Sequence, residues 1–293
     1  MVVPVYDPPP EALAEAVRSV RAQTFERWEL ILVDDGSKDP SVRAALARAA
    51  ASDPRVHLVR RQENGGVVAA SNHALAEANG AFVALLDHDD LLEPEALQRC
   101  ASAILSSGAE EVDYLYTDET RIYPDGSIAL QKPDWSPERL RAQMYTGHLS
   151  VLRRELVERV GGFRPGFDGS QDYDLVLRVT ERARKVVHVP EVLYQWRLLT
   201  TSVGQVGAPE VFAAARRALG DHLARTGRGG SVQQVDSTGA YRVRREVVGE
   251  PLVSIVIPTR GSSGEVWGER RVFVVDAVRS VLERSTYRRF ELV

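Results

Sequence analysis

The sequence predicts an α/β protein with a doubly wound, mostly parallel sheet and helices on both of its faces. Short apolar runs stop abruptly at polar residues, which is typical of strands buried in a parallel sheet. These runs alternate with helical segments, as expected for successive strand–helix–strand units. The clearest run, Phe82 to Leu86, is followed at once by Asp87-His88-Asp89-Asp90. Carboxylates in this position would lie at the strand ends where open α/β sheets bind ligands.

The composition indicates an ordinary globular protein. Of the 293 residues, 44% are hydrophobic and 27% are charged. The net charge of −4 gives no electrostatic basis for binding nucleic acid. A single cysteine, Cys100, excludes an intrachain disulfide and suits a reducing compartment. No apolar run approaches the roughly 18–20 residues that cross a bilayer, and we expect no leader at Met1, so the expectation is a soluble, cytoplasmic protein.

The first 119 residues contain the alternating pattern in full. In order, the predicted elements are a strand at 1–6, a helix after Pro8 with Leu13, Val17 and Val20 on one face, a strand at 30–33, a helix at 42–50, a strand at 56–59, a helix from Asn64-Gly65-Gly66 to Ala78, the strand at 82–86, a helix at 94–107 and a strand at 112–117. Three of these strands are expected to end at acids, namely Asp34-Asp35, Asp87-His88-Asp89 and Asp118. One site for a polyphosphate and a metal ion would explain all three endings together.

The pattern changes after Asp118. We expect a hairpin turn at 123–126, a helix from Pro137, a helix that ends at Gly161-Gly162, a helix from 171 to about 183 with Ser170 as its cap, a short strand at 186–189, a helix at 208–226 and β structure at 232–248.

The end of the chain repeats its beginning. Ala277–Val281 copies Ala16–Val20 residue for residue, and Ile255–Thr259 matches Met1–Val5. We therefore predict a first domain at 1–200 with a truncated first strand, a helical and β linker region at 201–250, and the start of a second, truncated domain at 251–293. On this interpretation the chain is a fragment of a longer tandem protein. We expect its last 40 or so residues, too few to close a sheet, to be loosely ordered or to lean on the first domain.

Five motifs in order resemble one enzyme family. They are Pro4-Val5-Tyr6, Val33-Asp34-Asp35-Gly36-Ser37, Asn64-Gly65-Gly66, Asp87-His88-Asp89-Asp90 and Gly169-Ser170-Gln171-Asp172-Tyr173-Asp174. Together they resemble the inverting glycosyltransferases of family 2, which have the GT-A nucleotide-sugar fold. The resemblance covers residues 1–200 and resumes at Pro251. Within that family, Lys132–Ser136 and Gly147-His148-Leu149 resemble the bacterial members that assemble polysaccharides.

The resemblance implies a nucleotide diphosphate sugar as donor and Mn²⁺ or Mg²⁺ as cofactor. A divalent ion that bridges the two phosphates acts as a Lewis acid on the departing diphosphate. By resemblance, Asp89 is the metal ligand and Asp87 contacts the donor's ribose or the metal shell. The implied nucleotide-sugar-binding residues are Val5, Tyr6, Asp34, Asp35, Asn64, Asp87 and His88, with His88 at the variable position of its motif.

The resemblance also assigns the catalytic base to Asp172. An aspartate with an ordinary pKa near 3.9 is ionised at neutral pH and accepts the proton of an attacking hydroxyl. Candidate acceptor contacts are Trp135, Gln171 and Trp196. Related sequences often carry a metal-binding histidine where this chain has Gln195, whose amide oxygen is a weaker ligand.

The expected function is metal-dependent sugar transfer to a hydroxyl of a glycan or lipid-linked glycan, in cell-surface polysaccharide assembly at the inner face of the plasma membrane. A sugar-1-phosphate nucleotidyltransferase would need a glycine-rich, basic loop after the first strand, which Tyr6-Asp7-Pro8-Pro9 is not. A glycosidase with paired carboxylates would need neither nucleotide nor metal. A non-catalytic nucleotide-binding module of a tandem protein is the remaining alternative, and Gln195 favours it.

Overall fold

The computed structural model describes residues 1–198, 208–246 and 248–293, and its chain divides into two units, Met1–Arg244 and Arg245–Val293. The strands of the main sheet in the larger unit are β1 Val2–Val5, β2 Leu30–Asp34, β3 Val56–Arg60, β4 Phe82–Leu85, β5 Leu91–Leu92, β6 Val112–Tyr123, β7 Gly126–Leu130, β8 Ser150–Arg153 and β9 Lys185–Arg197. Its helices are α1 Pro10–Arg21, α2 Pro40–Ser52, α3 Gly66–Glu77, α4 Ala96–Ser106, α5 Pro137–Ala142, α6 Arg154–Arg159, α7 Gln171–Thr180 and α8 Pro209–Arg225. A separate two-stranded sheet contains β10 Gly230–Gln234 and β11 Tyr241–Arg245.

The main sheet is mostly parallel, as the sequence predicts. Its strand order is β3-β2-β1-β4-β8-β6-β9-β5, and β7 pairs with β6 at the side. Strands β1, β2, β3, β4, β6 and β9 run in one direction, whereas β5, β7 and β8 run in the other. The antiparallel strand β8 lies between β4 and β6, so the residues that precede β8 lie at the edge where β4 ends.

Helices cover both faces of the sheet. Apolar side chains along its strands point alternately to the two faces, so each face has its own core. On β1, Val2 contributes to one core and Val3 to the other. The first core contains residues of α3, α6, α7 and α8, and the second contains residues of α1, α2 and α4. This arrangement is the doubly wound architecture expected from the sequence.

The two longest strands differ from the prediction. β6 continues through Asp118 to Tyr123, and β9 runs over thirteen residues rather than four because the two strands pair along most of their length. Asp118 is therefore not at a strand end, and that part of the prediction is wrong. Ser170 precedes α7, but its hydroxyl donates to the carbonyl oxygen of Val211 and does not cap the helix.

The segment expected as a linker contributes to the first core. Ala214, Ala215, Ala218 and Leu219 of α8 are buried there. The predicted boundary at residue 200 lies outside the described residues.

The smaller unit repeats the first strand–helix–strand arrangement. It contains β12 Val253–Ile255, β13 Ser263–Val266, β14 Glu269–Val272, α9 Phe273–Arg284 and β15 Phe290–Leu292. β12 and β15 pair in parallel with α9 between them in sequence, as β1 and β2 do with α1, and the antiparallel pair β13–β14 forms the insertion. That this unit begins a second domain of the same kind stays a prediction.

Candidate functional site

The carboxyl ends of β1, β2, β3 and β4 lie at one edge of the sheet because these strands are parallel. Hydrogen bonds connect the loops that follow them. The carboxylate of Asp7 accepts from the backbone N–H of Lys38 at 2.9 Å, and Nδ1 of His88 lies 3.2 Å from the carbonyl oxygen of Pro4. Segments that are distant in sequence thus meet at a single edge.

Asp34 and Asp35 are both buried and hold these loops in place. Asp34 accepts from the backbone N–H of Ser37 at 2.9 Å. Asp35 accepts from the backbone N–H of Gly65 at 3.0 Å and of Gly66 at 2.8 Å, and lies 2.6 Å from Nε of Arg61. Asp35 therefore ties the end of β2 to the turn that opens α3.

The two glycines of this turn have different physical roles. Gly66 has φ of +84°, a left-handed conformation that favours glycine. Gly65 has an ordinary φ, but a Cβ there would lie 2.3 Å from Nη2 of Arg61. Gly65 thus leaves the room that Arg61 needs to reach Asp35. The side chain of Asn64 accepts from Gly66 N–H at 3.1 Å, so it braces the same turn.

A cleft of about 690 Å³ lies beside these loops. Its lining includes the basic side chains of Lys38, Arg43, Arg60 and Arg61 and the acidic side chains of Asp34 and Glu63. Because the basic side chains outnumber the acidic ones, the cleft favours an anionic group.

The last residue of β1 and the residue that follows it differ in their exposure. Val5 is buried in the second core, whereas Tyr6 is 42% exposed at the edge. Of these two candidates, only Tyr6 offers an exposed ring to a ligand.

The acids after β4 fall into an anchor and a more accessible pair. Asp90 is fully buried and accepts from the hydroxyl of Tyr194 at 2.6 Å and from the backbone N–H of Arg197 at 2.8 Å. Burial, reinforced by the Asp87 carboxylate, raises the pKa of Asp90 well above its ordinary value. Burial likewise raises the pKa of Asp89, with His88 opposing and Asp87 adding to the shift. Asp87 itself is half-exposed.

Arg197 holds this acidic turn against the first helix. Its guanidinium donates to the carbonyl oxygen of Asp89, to the Glu15 carboxylate and, at 2.9 Å, to the carbonyl oxygen of Ala12. The turn that carries Asp87 and Asp89 is therefore fixed both by β9 and by α1.

His148 is the residue in this region to which the sequence assigned no role. Its Nε2 lies 3.6 Å from the Asp87 carboxylate. Its ring stacks on Tyr194 at 4.8 Å and meets Trp196 edge-on at 6.0 Å. It reaches the acids because it precedes the antiparallel strand β8, whose start is paired with the end of β4. The only sequence signal for it was the motif Gly147-His148-Leu149.

A buried ion pair supports the loop that carries His148. Nζ of Lys132 lies 2.9 Å from Glu119 and donates to the carbonyl oxygens of Thr146 and His148. Glu119 in turn accepts from the backbone N–H of His148 at 3.3 Å. Burial opposes ionisation of Glu119, but Lys132, His148 and Arg121 together outweigh it and lower the pKa of this carboxyl.

Asp172 lies in the first turn of α7, within electrostatic reach of His148 and Asp87. Burial raises its pKa; the His148 imidazole opposes that shift and the Asp87 carboxylate adds to it. The carboxylate accepts from the backbone N–H of Tyr173 at 2.7 Å. The structure therefore brings Asp172 to the same region as the acids that follow β4.

The candidate acceptor residues do not share one environment. Trp196 lies beside His148 and under the Arg121 guanidinium, 4.6 Å from the ring centre. Trp135 packs edge-on against Tyr114 at 6.5 Å, at the margin of the first core. Gln171, next to Asp172, has a buried amide oxygen without a hydrogen-bond partner in the described part of the chain.

The position of Gln195 argues against its expected role as a metal ligand. Successive side chains on a strand point to opposite faces, so Gln195 points away from the face of β9 that bears Tyr194 and Trp196. Its amide donates to Glu93 at 2.6 Å instead.

Asp118 also lies outside the acidic group. It pairs with Nε2 of His188 at 2.9 Å and accepts from the backbone N–H of Lys132 at 2.9 Å. His188 stacks on Tyr116 at 4.7 Å. This pair fastens the segment before α5 to β6 and β9, and it does not join Asp87 and Asp89.

The side chains present fit a divalent cation that is held jointly with a substrate. Over the described ranges, no group of three or more histidine, cysteine or acidic side chains is arranged to hold a metal ion unaided. Asp87 and Asp89 form a carboxylate pair one residue apart, and Mg²⁺ is commonly bound by one or two carboxylates plus substrate phosphates and water.

In the part of the chain that the structure describes, no helix has the length and apolar character needed to traverse a membrane.

Comparison with known proteins gives consistent matches. The family model described as glycosyl transferase family 2 matches residues 1–161. The uncharacterized protein y4gI of Sinorhizobium fredii is 43% identical over all of this chain and 32% of its own length. The O-antigen biosynthesis protein RfbC of Myxococcus xanthus is 36% identical over all of this chain and 22% of its own length. The chain thus spans a third or less of these relatives.

Solved structures match the fold. The S. aureus TarS 1–349 structure has a TM-score of 0.60 at 19% identity and covers 76% of this chain and 64% of its own. The mannosyltransferase PcManGT from Pyrobaculum calidifontis, in complex with GDP-Man and Mn²⁺, has a TM-score of 0.56 at 22% identity and covers 77% and 62%. At this level of identity the likeness shows a shared GT-A fold.

Proposed function

The chain belongs to glycosyl transferase family 2, and we propose that it transfers a sugar from a nucleoside diphosphate sugar to a hydroxyl acceptor, with inversion at the anomeric carbon. The observation that carries the proposal is that Asp172 lies within electrostatic reach of Asp87 and His148, beside the carboxyl ends of the parallel strands. A donor bound by the loops of that edge would place its reacting carbon near the Asp172 carboxylate. The relative RfbC, named for O-antigen biosynthesis, supports assembly of a bacterial surface polysaccharide as the setting.

The donor would bind along the edge formed by the ends of β1, β2, β3 and β4. We assign the exposed ring of Tyr6, with Val5 and the turn held by Asp34 and Asp35, to the nucleotide base. Asn64 and Asp87 lie on the loops assigned to the ribose and diphosphate, and His88 braces the acidic turn against β1. These assignments follow the positions of the loops.

Asp89 and Asp87 would hold Mn²⁺ or Mg²⁺ together with the diphosphate oxygens. When bound, the ion would supply positive charge to the departing diphosphate. Burial destabilises the ionised form of Asp89, and the neighbouring protein groups do not fully offset this effect, so the pKa of Asp89 is raised. A cation beside it would favour the ionised carboxylate.

Asp172 would act as the general base. The acceptor oxygen forms a bond to the anomeric carbon as the bond from that carbon to the diphosphate oxygen breaks, and the acceptor's proton passes to the Asp172 carboxylate. The diphosphate leaves with the electron pair of the broken bond. Because burial raises the pKa of Asp172, its carboxylate is a stronger base than an exposed aspartate. Of the acceptor candidates, Gln171 is adjacent to this carboxylate in sequence, and Trp196 contacts His148, which lies within electrostatic reach of it.

The test begins with calorimetric titration of UDP and GDP with and without Mn²⁺, followed by hydrolysis and transfer assays with UDP-GlcNAc and GDP-mannose. We expect Mn²⁺-dependent binding that Asp89→Asn abolishes. We also expect Asp172→Asn to keep nucleotide binding while turnover falls about 10²–10⁴-fold, as is typical when a general base is removed. Nucleotide binding that ignores both Mn²⁺ and Asp89→Asn would refute the proposal. Metal-dependent binding without turnover of any donor would instead favour a non-catalytic nucleotide-binding module.

A further inference from the structure

The imidazole of His148 is held rigidly at the centre of the acidic region. Its ring stacks on Tyr194 with an interplanar angle of 17° and meets Trp196 at 72°. Its backbone N–H is bound by Glu119, and Lys132 donates to its carbonyl oxygen. Packing on the ring and hydrogen bonds on the backbone leave the side chain little freedom, which is how a ligand-binding group is preorganised.

The two ring nitrogens of His148 have different surroundings. Nε2 faces the Asp87 carboxylate at 3.6 Å, close enough for electrostatic attraction but beyond an ordinary hydrogen bond. Nδ1 is buried and has no hydrogen-bond partner anywhere in the described ranges 1–198, 208–246 and 248–293. A buried nitrogen without a partner costs free energy, and such atoms in folded proteins call for an explanation.

The neighbours of the imidazole indicate what kind of group could pair with Nδ1. Two carboxylates, Asp87 and Asp172, lie within electrostatic reach of the imidazole, so an anionic group there would need a cation beside it. A neutral hydroxyl needs no such cation and can either donate to or accept from an imidazole nitrogen. The adjacent ring of Trp196 offers an apolar face of the kind that sugars pack against.

We propose that Nδ1 of His148 binds a hydroxyl group of a sugar at the reaction centre and thereby helps to select which sugar is transferred or accepted. This role rests on the proposed function, because it requires that a sugar occupies the region between Asp87 and Asp172. The hydroxyl belongs either to the donor sugar or to the acceptor sugar. In the first case His148 affects binding of the sugar nucleotide, and in the second it affects binding of the acceptor.

Three substitutions distinguish the contributions of Nδ1, of Nε2 and of the stacked ring. His148→Asn keeps a polar group near the position of Nδ1, His148→Gln places one near Nε2, and His148→Phe keeps the stacked ring without either nitrogen. For each variant and the unaltered chain, calorimetry with Mn²⁺ would compare UDP with UDP-GlcNAc and GDP with GDP-mannose. Steady-state assays with methyl glycosides as acceptor probes would give kcat and the acceptor KM, and thermal melting would confirm folding.

We expect His148→Phe and His148→Gln to bind the bare diphosphates within about twofold of the unaltered chain, while one sugar-dependent quantity worsens about tenfold, the effect of one lost hydrogen bond. A weaker Kd for the sugar nucleotide assigns the hydroxyl to the donor, and a higher acceptor KM assigns it to the acceptor. His148→Asn should stay within about threefold of the unaltered chain in both quantities.

The inference is overturned if His148→Phe behaves like the unaltered chain, since the ring would then serve packing alone. It is also overturned if His148→Gln retains activity and His148→Asn loses it, because Nε2 would then act through Asp87. Should His148→Phe fail to fold, the comparison of the Asn and Gln variants still decides. If the unaltered chain binds no nucleotide, the proposed function fails first and this inference falls with it.

Discussion

The substitution Gly65→Ala sets two opposing effects against each other. At a position with ordinary φ, replacement of glycine by alanine normally stabilises a protein by about 0.4–1 kcal/mol, because it restricts the unfolded chain. Here the new Cβ would lie 2.3 Å from Nη2 of Arg61, so the guanidinium must move. Movement of Arg61 breaks its contact with the buried carboxylate of Asp35.

The balance should favour destabilisation. The Arg61–Asp35 contact is an ion pair, and loss of a partner by a buried polar group costs about 1–3 kcal/mol, more when the group is charged, which exceeds the gain from the restricted unfolded chain. Asp35 keeps its two backbone N–H donors, and Arg61 is 26% exposed, so the loss should fall in the lower half of that range. We expect Gly65→Ala to lower the free energy of unfolding by about 1–2 kcal/mol. Nucleotide binding should weaken as well, because the same contact orders the turn that carries Asn64.

Urea unfolding of a double-mutant cycle tests this reasoning. In an Arg61→Ala background, Gly65→Ala should cost much less, because the clash with Arg61 and the lost contact with Asp35 are both gone and only the approach of the new Cβ to Ala69 Cβ at 3.0 Å remains. Gly220→Ala is the matched control: it lies in α8 with open space around the new Cβ, and it should stabilise by about 0.5–1 kcal/mol. If Gly65→Ala is as stabilising as Gly220→Ala, Arg61 is not held as the structure indicates.

Three further outcomes are expected. The acid limb of the kcat/KM profile should have its midpoint above the ordinary aspartate pKa of about 3.9, because burial raises the pKa of Asp172 and the base form is lost as the pH falls through that raised value; a midpoint at or below 3.9 would contradict this. Burial opposes ionisation of Asp113, but hydrogen bonds from Arg184 and Arg153 outweigh it and lower the pKa of Asp113 to about 2. Its contribution, on the order of 2 kcal/mol, should be complete above about pH 4 and lost as the pH falls toward 2, and acid titration of unfolding should show that Asp113→Asn removes this dependence. Gln195→Ala should leave the Mn²⁺ dependence of nucleotide binding unchanged because the Gln195 amide is bonded to Glu93, and a changed Mn²⁺ affinity would restore it as a ligand.

Much of the fold was predictable because its signals are local. Apolar runs with polar ends mark β2 and β4 in any context, and Pro10 and Pro40 start α1 and α2 in the positions where proline is favoured. Parallel strands place their carboxyl ends at one edge, so Asp35 and Asp87 could be assigned to that edge without coordinates.

The errors concern pairings between distant segments. Asp118 resembled a strand end because the chain turns polar there, yet pairing with β9 carries β6 five residues further. The role of Gln195 as a metal ligand stays a prediction, although in the structure its amide donates to Glu93. His148 was passed over because nothing local shows that β8 is antiparallel and enters beside β4.

By itself, the sequence determined which segments are strands and helices and which acids follow buried strands, since hydrophobic periodicity and turn chemistry act over a few residues. Only the tertiary structure decided which side chains surround those acids. The insertion of β8 beside β4 brings His148 to the acids. The face of β9 that is turned toward them bears Tyr194, which contacts His148 and Asp90. Strand order and register are fixed by packing across the whole sheet, and a one-residue change of register would exchange the two faces of a strand.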